Sequence, residues 1–93
     1  MVSTLPQSMK KISVSGGAIG ALAFYGFNAL EEVVLSTNVK SIGYAAFYDC
    51  ASLKKISYEG TKSAWTALSK DAGWATNAPR SLVVSCSDGT ATK

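Results

Sequence analysis

Ile42-Gly43-Tyr44-Ala45-Ala46-Phe47-Tyr48-Asp49-Cys50-Ala51-Ser52-Leu53-Lys54-Lys55-Ile56-Ser57-Tyr58 decides the fold, because Ile19 to Leu35 is a variant copy of it. Laying Ile19 on Ile42 also pairs Gly20 with Gly43, Ala23 with Ala46, Phe24 with Phe47, Tyr25 with Tyr48, Leu30 with Leu53 and Val33 with Ile56. Self-similarity at such a spacing is the mark of a solenoid, in which each unit covers the apolar face of its neighbour.

Working outward, Met9-Lys10-Lys11-Ile12-Ser13-Val14 matches Leu53-Lys54-Lys55-Ile56-Ser57-Tyr58, with Leu30-Glu31-Glu32-Val33-Val34-Leu35 between them. Each has apolar residues at its first, fourth and sixth positions, which predicts three strands near 9–14, 30–35 and 53–58 with those side chains in the core. The first spacing, Met9 to Leu30, is two residues shorter than the second, Leu30 to Leu53. Ser15-Gly16-Gly17-Ala18 replaces Ser36 to Ser41 there, and paired glycines allow a tighter reversal. Between turn and strand, Ala23-Phe24-Tyr25 and Ala46-Phe47-Tyr48 leave room for one helical or 3₁₀ turn, with Phe24 and Phe47 stacked inside.

Parallel, in-register strands would bring Lys10, Glu31 and Lys54 abreast, and likewise Lys11, Glu32 and Lys55, with Ser13, Val34 and Ser57 as a third row. These nine residues form the candidate interaction face. The alternating charges also read as a solvated register lock, each exposed pair contributing roughly 0.2–1 kcal/mol.

The repeat pattern ends after Tyr58. Glu59-Gly60 reads as a turn, Thr61 as an N-cap, and 62–70 as a short helix with Trp65 and Leu68 on one face. Asn77-Ala78-Pro79 marks another turn before a strand near 81–86, and Thr90 to Lys93 is expected to fray. The expected organisation is a lead-in over 1–8, repeats over 9–58, a helix-and-strand cap over 59–89 and a tail over 90–93. The fold class is an α/β repeat: a short solenoid with a parallel β-sheet on one face and short helical or 3₁₀ turns opposite.

Bulk properties narrow the function. The 93 residues make one domain or a piece of one, and a chain of this size buries only about 60% of its unfolded surface. At 47% hydrophobic and 16% charged it is too apolar for disorder. Nine Lys or Arg against six Asp or Glu is a mild bias and not the basic stripe of a nucleic-acid binder. No run of 18 apolar residues predicts membrane insertion. Met9-Lys10-Lys11 followed by apolar residues up to Ala23 imitates a signal peptide, but Ile19, Gly20, Ala23 and Phe24 in that stretch keep repeat register. Secretion would need a leader, so the chain reads as a piece of a longer protein.

There are two cysteines and no histidine. Cys50 occupies the repeat position of Phe27, which predicts a buried free thiol acting as a small hydrophobe. Absence of histidine removes the commonest general base and metal ligand, and no cofactor or metal is expected. Glu31, Glu32, Asp49, Glu59, Asp71 and Asp88 show no paired spacing suited to acid/base hydrolysis, so the chain reads as non-enzymatic. Tyr25, Tyr48, Trp65 and Trp74 raise carbohydrate or cell-wall binding by stacking on sugar faces, against the competing reading that they pack the core.

The pattern Ile-Gly-x-x-Ala-Phe-Tyr-x-Cys-x-x-Leu-x-x-Ile over Ile42 to Ile56, preceded by Val39-Lys40-Ser41, resembles the BspA-like leucine-rich repeat family of bacterial surface proteins. Tyr58-x-Gly60-Thr61-x-x-x-Trp65, Trp74 and Val84 to Gly89 are similar to the C-terminal end of such domains. The resemblance implies a non-enzymatic interaction or structural module, extracellular or at the cell surface, serving adhesion or protein binding; the ligand, protein or glycan, is not named by it. It carries no catalytic residue. With only two Ala-Phe-Tyr units, either the piece depends on its cap or its open N-terminal end pairs with another chain, a route to self-association.

Overall fold

The computed structural model describes residues 8–91; most of the expected lead-in (1–7) and the end of the expected tail (92–93) lie outside the described residues. The elements are β1 (Lys11–Val14), β2 (Gly17–Ile19), β3 (Glu32–Leu35), β4 (Val39–Ile42), β5 (Lys55–Tyr58), α1 (Lys62–Ala67), β6 (Ser69–Lys70), β7 (Val83–Cys86) and β8 (Gly89–Ala91). They form a five-stranded sheet in the order β1-β3-β5-β7-β8 and a three-stranded sheet in the order β2-β4-β6. All pairings are parallel except that of β7 with β8.

The apolar rows dictate this register. Ile12 lies beside Val33 and Ile56, and Val14 beside Leu35 and Tyr58. Leu30, Val33, Leu35, Leu53 and Ile56 are fully buried, whereas Met9 and Val14 of the first row are half-buried. Ile19, Val39 and Ile42 of the second sheet join the same cluster. The two residues missing from the first turn are absorbed in two steps. Val14 pairs with Leu35, Gly17 with Val39, and a register shift follows before Ala18 meets Ser41. Gly17, at φ 78°, supplies the left-handed backbone this needs.

Four expectations need correction. The Ala-Phe-Tyr segments are not helical or 3₁₀ turns. Ala23, Tyr25 and Phe27 donate N–H bonds back three residues, but Leu22, Phe24 and Gly26 donate across to carbonyls of Tyr44, Ala46 and Tyr48. Every fourth residue is left-handed: Leu22 and Gly26, Ala45 and Asp49, Gly73 and Asn77. That alternation breaks a right-handed helix at each turn and turns half of the amides toward the next unit. Phe24 and Phe47 nevertheless stack, with centroids 5.3 Å apart.

Helix α1 stops at Ala67 and not near residue 70, because Leu68 is extended and Ser69–Lys70 pair with Ser41–Ile42 as β6. The last described residues are likewise ordered by pairing: Thr90 and Ala91 do not fray but pair with Ser85 and Val84 in β8.

The segment after Tyr58 also continues the repeat geometry. Val83, Val84 and Ser85 pair with Lys55, Ile56 and Ser57. Trp74, Thr76 and Ala78 repeat the back-bonded turns of Ala46, Tyr48 and Cys50, while Phe47 and Asp49 donate to the carbonyls of Trp74 and Thr76. Helix α1 thus occupies, in this third unit, the place that Ser36-Thr37-Asn38 fills in the second.

Candidate functional site

The outer face of the large sheet begins with backbone register. Lys11, Glu32 and Lys55 stand abreast, as do Ser13, Val34 and Ser57. Lys10, Glu31 and Lys54 immediately precede these strands, and the amides of Glu31 and Glu32 both donate to the Lys10 carbonyl. The same contact recurs one unit later, from Lys54 and Lys55 to the Glu31 carbonyl. This doubled bond fixes the two charged residues of each unit against those of the next.

Lys10, Lys11, Glu31, Glu32, Lys54 and Lys55 together line a shallow depression of about 340 Å³. The four lysines are exposed and the two glutamates half-buried. Glu32 Oε2 accepts from the Ser57 hydroxyl at 3.2 Å. Ser13 and Val34, with Val14, Ser15, Ser36 and Glu59, line a second depression of about 260 Å³. Its rim is held by the Ser36 hydroxyl, which donates to the Ser15 carbonyl at 2.6 Å and accepts from the Asn38 amide at 3.1 Å.

The face is wider than the nine residues read from sequence. Val83 extends the Lys11-Glu32-Lys55 row and is 41% exposed; Ser85, followed by Thr90 of β8, extends the Ser13-Val34-Ser57 row. A sequence signal existed in Val83-Val84-Ser85 against Lys55-Ile56-Ser57, but the change from lysine to valine hid it.

The aromatic residues take up other duties. Trp65 is buried, and Trp74 is half-buried and edge-on to both Trp65 and Phe47. Tyr25 and Tyr48 stack on each other at 5.2 Å with planes 7° apart, so one ring face of each is already used. Only ring faces turned outward could stack on a sugar. A further depression, along Gly73, Trp74, Ala75 and Thr76, gathers no charged side chain.

Other polar groups have structural partners. Thr61 Oγ1 caps α1 through the Ala64 amide, and Asp88 Oδ1 accepts from the Lys62 amide at 2.8 Å. The Lys70 ammonium donates to the Trp65 and Leu68 carbonyls, 2.6 and 3.1 Å away, and lies 4.4 Å from the Trp65 ring centroid. Burial holds its pKa below the ordinary lysine value. Asn77 Nδ2 donates to Asp49 Oδ1 at 2.7 Å, joining equivalent left-handed residues of adjacent units.

Both thiols are free. Cys50 is fully buried and donates to the Phe24 carbonyl at 3.2 Å. Burial, reinforced by Asp49 and opposed by the backbone at Phe27, pushes its pKa from the ordinary 9.0 to about 11. Cys86 is also pushed up, by burial and Asp88, with Lys62 pulling the other way.

A family profile described as a BspA type leucine-rich repeat region (6 copies) matches residues 4–68. The chain belongs to the BspA type leucine-rich repeat family. Comparison with curated proteins and with solved structures finds no match. The family match ends one residue before β6, so the third unit is visible only in the structure of this BspA-type repeat. Membership points to a protein-interaction or structural repeat module.

Proposed function

We propose that this chain is a non-enzymatic interaction module of a secreted or cell-surface bacterial protein, with the outer face of the five-stranded sheet as its receptor surface. In this reading the units form a short solenoid, residues 59–89 serve as its C-terminal cap, and the partner is a protein bound during adhesion. The observation that carries it is the depression in which three successive units place Lys10, Lys11, Glu31, Glu32, Lys54 and Lys55 side by side. Four exposed lysines beside two half-buried glutamates favour a partner surface that is acidic on balance.

The test is a panel of extracellular-matrix proteins and glycans at physiological salt, comparing this chain with a folded Lys54→Glu, Lys55→Glu variant. A partner lost in the variant, with binding that weakens as salt rises, supports the sheet face. Retention of every partner would remove the face from consideration.

A carbohydrate or cell-wall ligand is the second reading, favoured by the exposure of Tyr44 (56%) and Tyr25 (47%). Its support is confined to these rings, because Trp65 and Trp74 pack internally. Glycan binding lost in Tyr44→Ala but kept in the lysine variant would select it.

A further inference from the structure

The alternating charges of the large sheet are not consumed by one another. Among the described residues, Lys10, Lys11, Lys54 and Lys55 form no ion pair with Glu31 or Glu32, and the carboxylate of Glu32 accepts from the Ser57 hydroxyl instead. Register is already held by the backbone, through the amides that Glu31, Glu32, Lys54 and Lys55 donate to the preceding unit. Four exposed lysines are therefore left to meet charge from outside the chain.

The rows also have an order. Lys11, Glu32, Lys55 and Val83 lie side by side on β1, β3, β5 and β7, so across the strands the surface reads cationic, anionic, cationic, apolar. The row before it repeats the first three characters with Lys10, Glu31 and Lys54 and ends on Leu82, which is buried. The row after it, Ser13, Val34, Ser57 and Ser85, carries no charge. Strands added beside β1 would lengthen these rows without changing their step.

That step selects the conformation of a partner. Neighbouring strands are about 4.8 Å apart, which places the four characters at about 0, 4.8, 9.6 and 14.4 Å along a line across the sheet. A helix rises about 1.5 Å per residue, so its positions i, i+3, i+7 and i+10 share one face at about 0, 4.5, 10.5 and 15 Å, each within about 1 Å of a row member. An extended chain shows alternate residues to one face at steps of about 6.8 Å and is out of step by its second contact.

We propose that the sheet face receives an acidic amphipathic helix of a partner protein, laid across the strands. Its carboxylates at i and i+7 meet the two lysine pairs, a basic side chain at i+3 meets Glu31 and Glu32, and an apolar side chain at i+10 meets Val83. This rests on the reading of the sheet face as receptor surface and adds the conformation of the segment it receives. A slip of the helix by one strand sets like charge against like, so the rows fix its position as well as its sign.

Two labelled peptides, titrated with the full chain and followed by fluorescence anisotropy, test this. Both are alanine-based and equal in length and composition. One carries glutamate at i and i+7, lysine at i+3 and leucine at i+10; the other carries the same side chains at i, i+2, i+4 and i+6. The first should bind at least about tenfold more tightly than the second. The Lys54→Glu, Lys55→Glu variant should weaken it at least about tenfold, whereas Lys40→Ala on β4 should leave it unchanged. Val83→Ser should weaken the leucine peptide and spare a version with alanine at i+10. Equal affinity for the two spacings, no binding of the first at millimolar concentration, or equal losses in the Lys40 and Lys54, Lys55 variants would each overturn the helix. The receptor face survives those results if a protein from the panel is lost in the lysine variant and falls if none is, so the two failures are told apart.

Discussion

At the residue scale, Gly43 and Cys50 show how stacking constrains single positions. Gly43→Ala must displace the backbone at Ile19 to Ala21 and is expected to cost about 2 kcal/mol or more in chemical denaturation. Gly20→Ala, its exact sequence equivalent, meets no such obstacle and should be neutral or slightly stabilising. Equal effects of the two substitutions would mean that the units do not approach as described. For Cys50, a folded pKa raised to about 11 means that the native state holds its proton where the unfolded chain loses it. The resulting stability is complete below pH 9 and is lost as pH rises toward 11, a loss on the order of 2 kcal/mol. Urea titrations across that window should show the decline in wild type and a clearly smaller one in Cys50→Ala. The equivalence of Cys50 with Phe27 was legible from sequence because both stand three residues before a core leucine. The left-handed backbone of Leu22 and Ala45 was not, since neither residue type favours it.

At the scale of elements, strands proved more legible than the segments between them. Leu30-x-x-Val33-x-Leu35 and Leu53-x-x-Ile56-x-Tyr58 announce their buried faces by spacing alone, and the register follows from stacking like on like. The second sheet escaped notice because Gly17–Ile19 and Ser69–Lys70 are two or three residues long and lack an alternating pattern. Helix α1 was readable at its start, through the Thr61 cap, but its end is set by tertiary pairing of β6. A helix of six residues depends on its ends, and Lys70 secures one of them by bonding the Trp65 and Leu68 carbonyls. Lys70→Met should therefore cost about 1 kcal/mol and increase iodide quenching of tryptophan fluorescence as α1 loosens over Trp65. Unchanged quenching together with unchanged stability would assign Lys70 no part in holding the helix.

At the scale of the whole molecule, the surface is a product of repetition. One strand supplies two charged residues, and only the ladder of units turns them into rows with a common depression. Sequence reading set Lys10, Lys11, Ser13, Glu31, Glu32, Val34, Lys54, Lys55 and Ser57 in adjacent rows from obvious copies alone, and the strands pair in that register. It missed the extension through Val83, Ser85 and Thr90 because the third unit exchanges large and small residues. Trp74-Ala75 stands where Ala46-Phe47 stood, and a ten-residue segment containing α1 lies between β5 and β6. The central claim is that residues 69–86 stack on the second unit as the second stacks on the first. Amide hydrogen exchange measures this directly. The Phe47 and Asp49 amides bond the Trp74 and Thr76 carbonyls at 2.8 and 3.0 Å, as Phe24 and Gly26 bond those of Ala46 and Tyr48 at 2.8 Å. The account predicts that Phe47 and Asp49 exchange at least as slowly as Phe24 and Gly26; exchange of Phe47 and Asp49 at unstructured rates beside a protected Phe24 would contradict it.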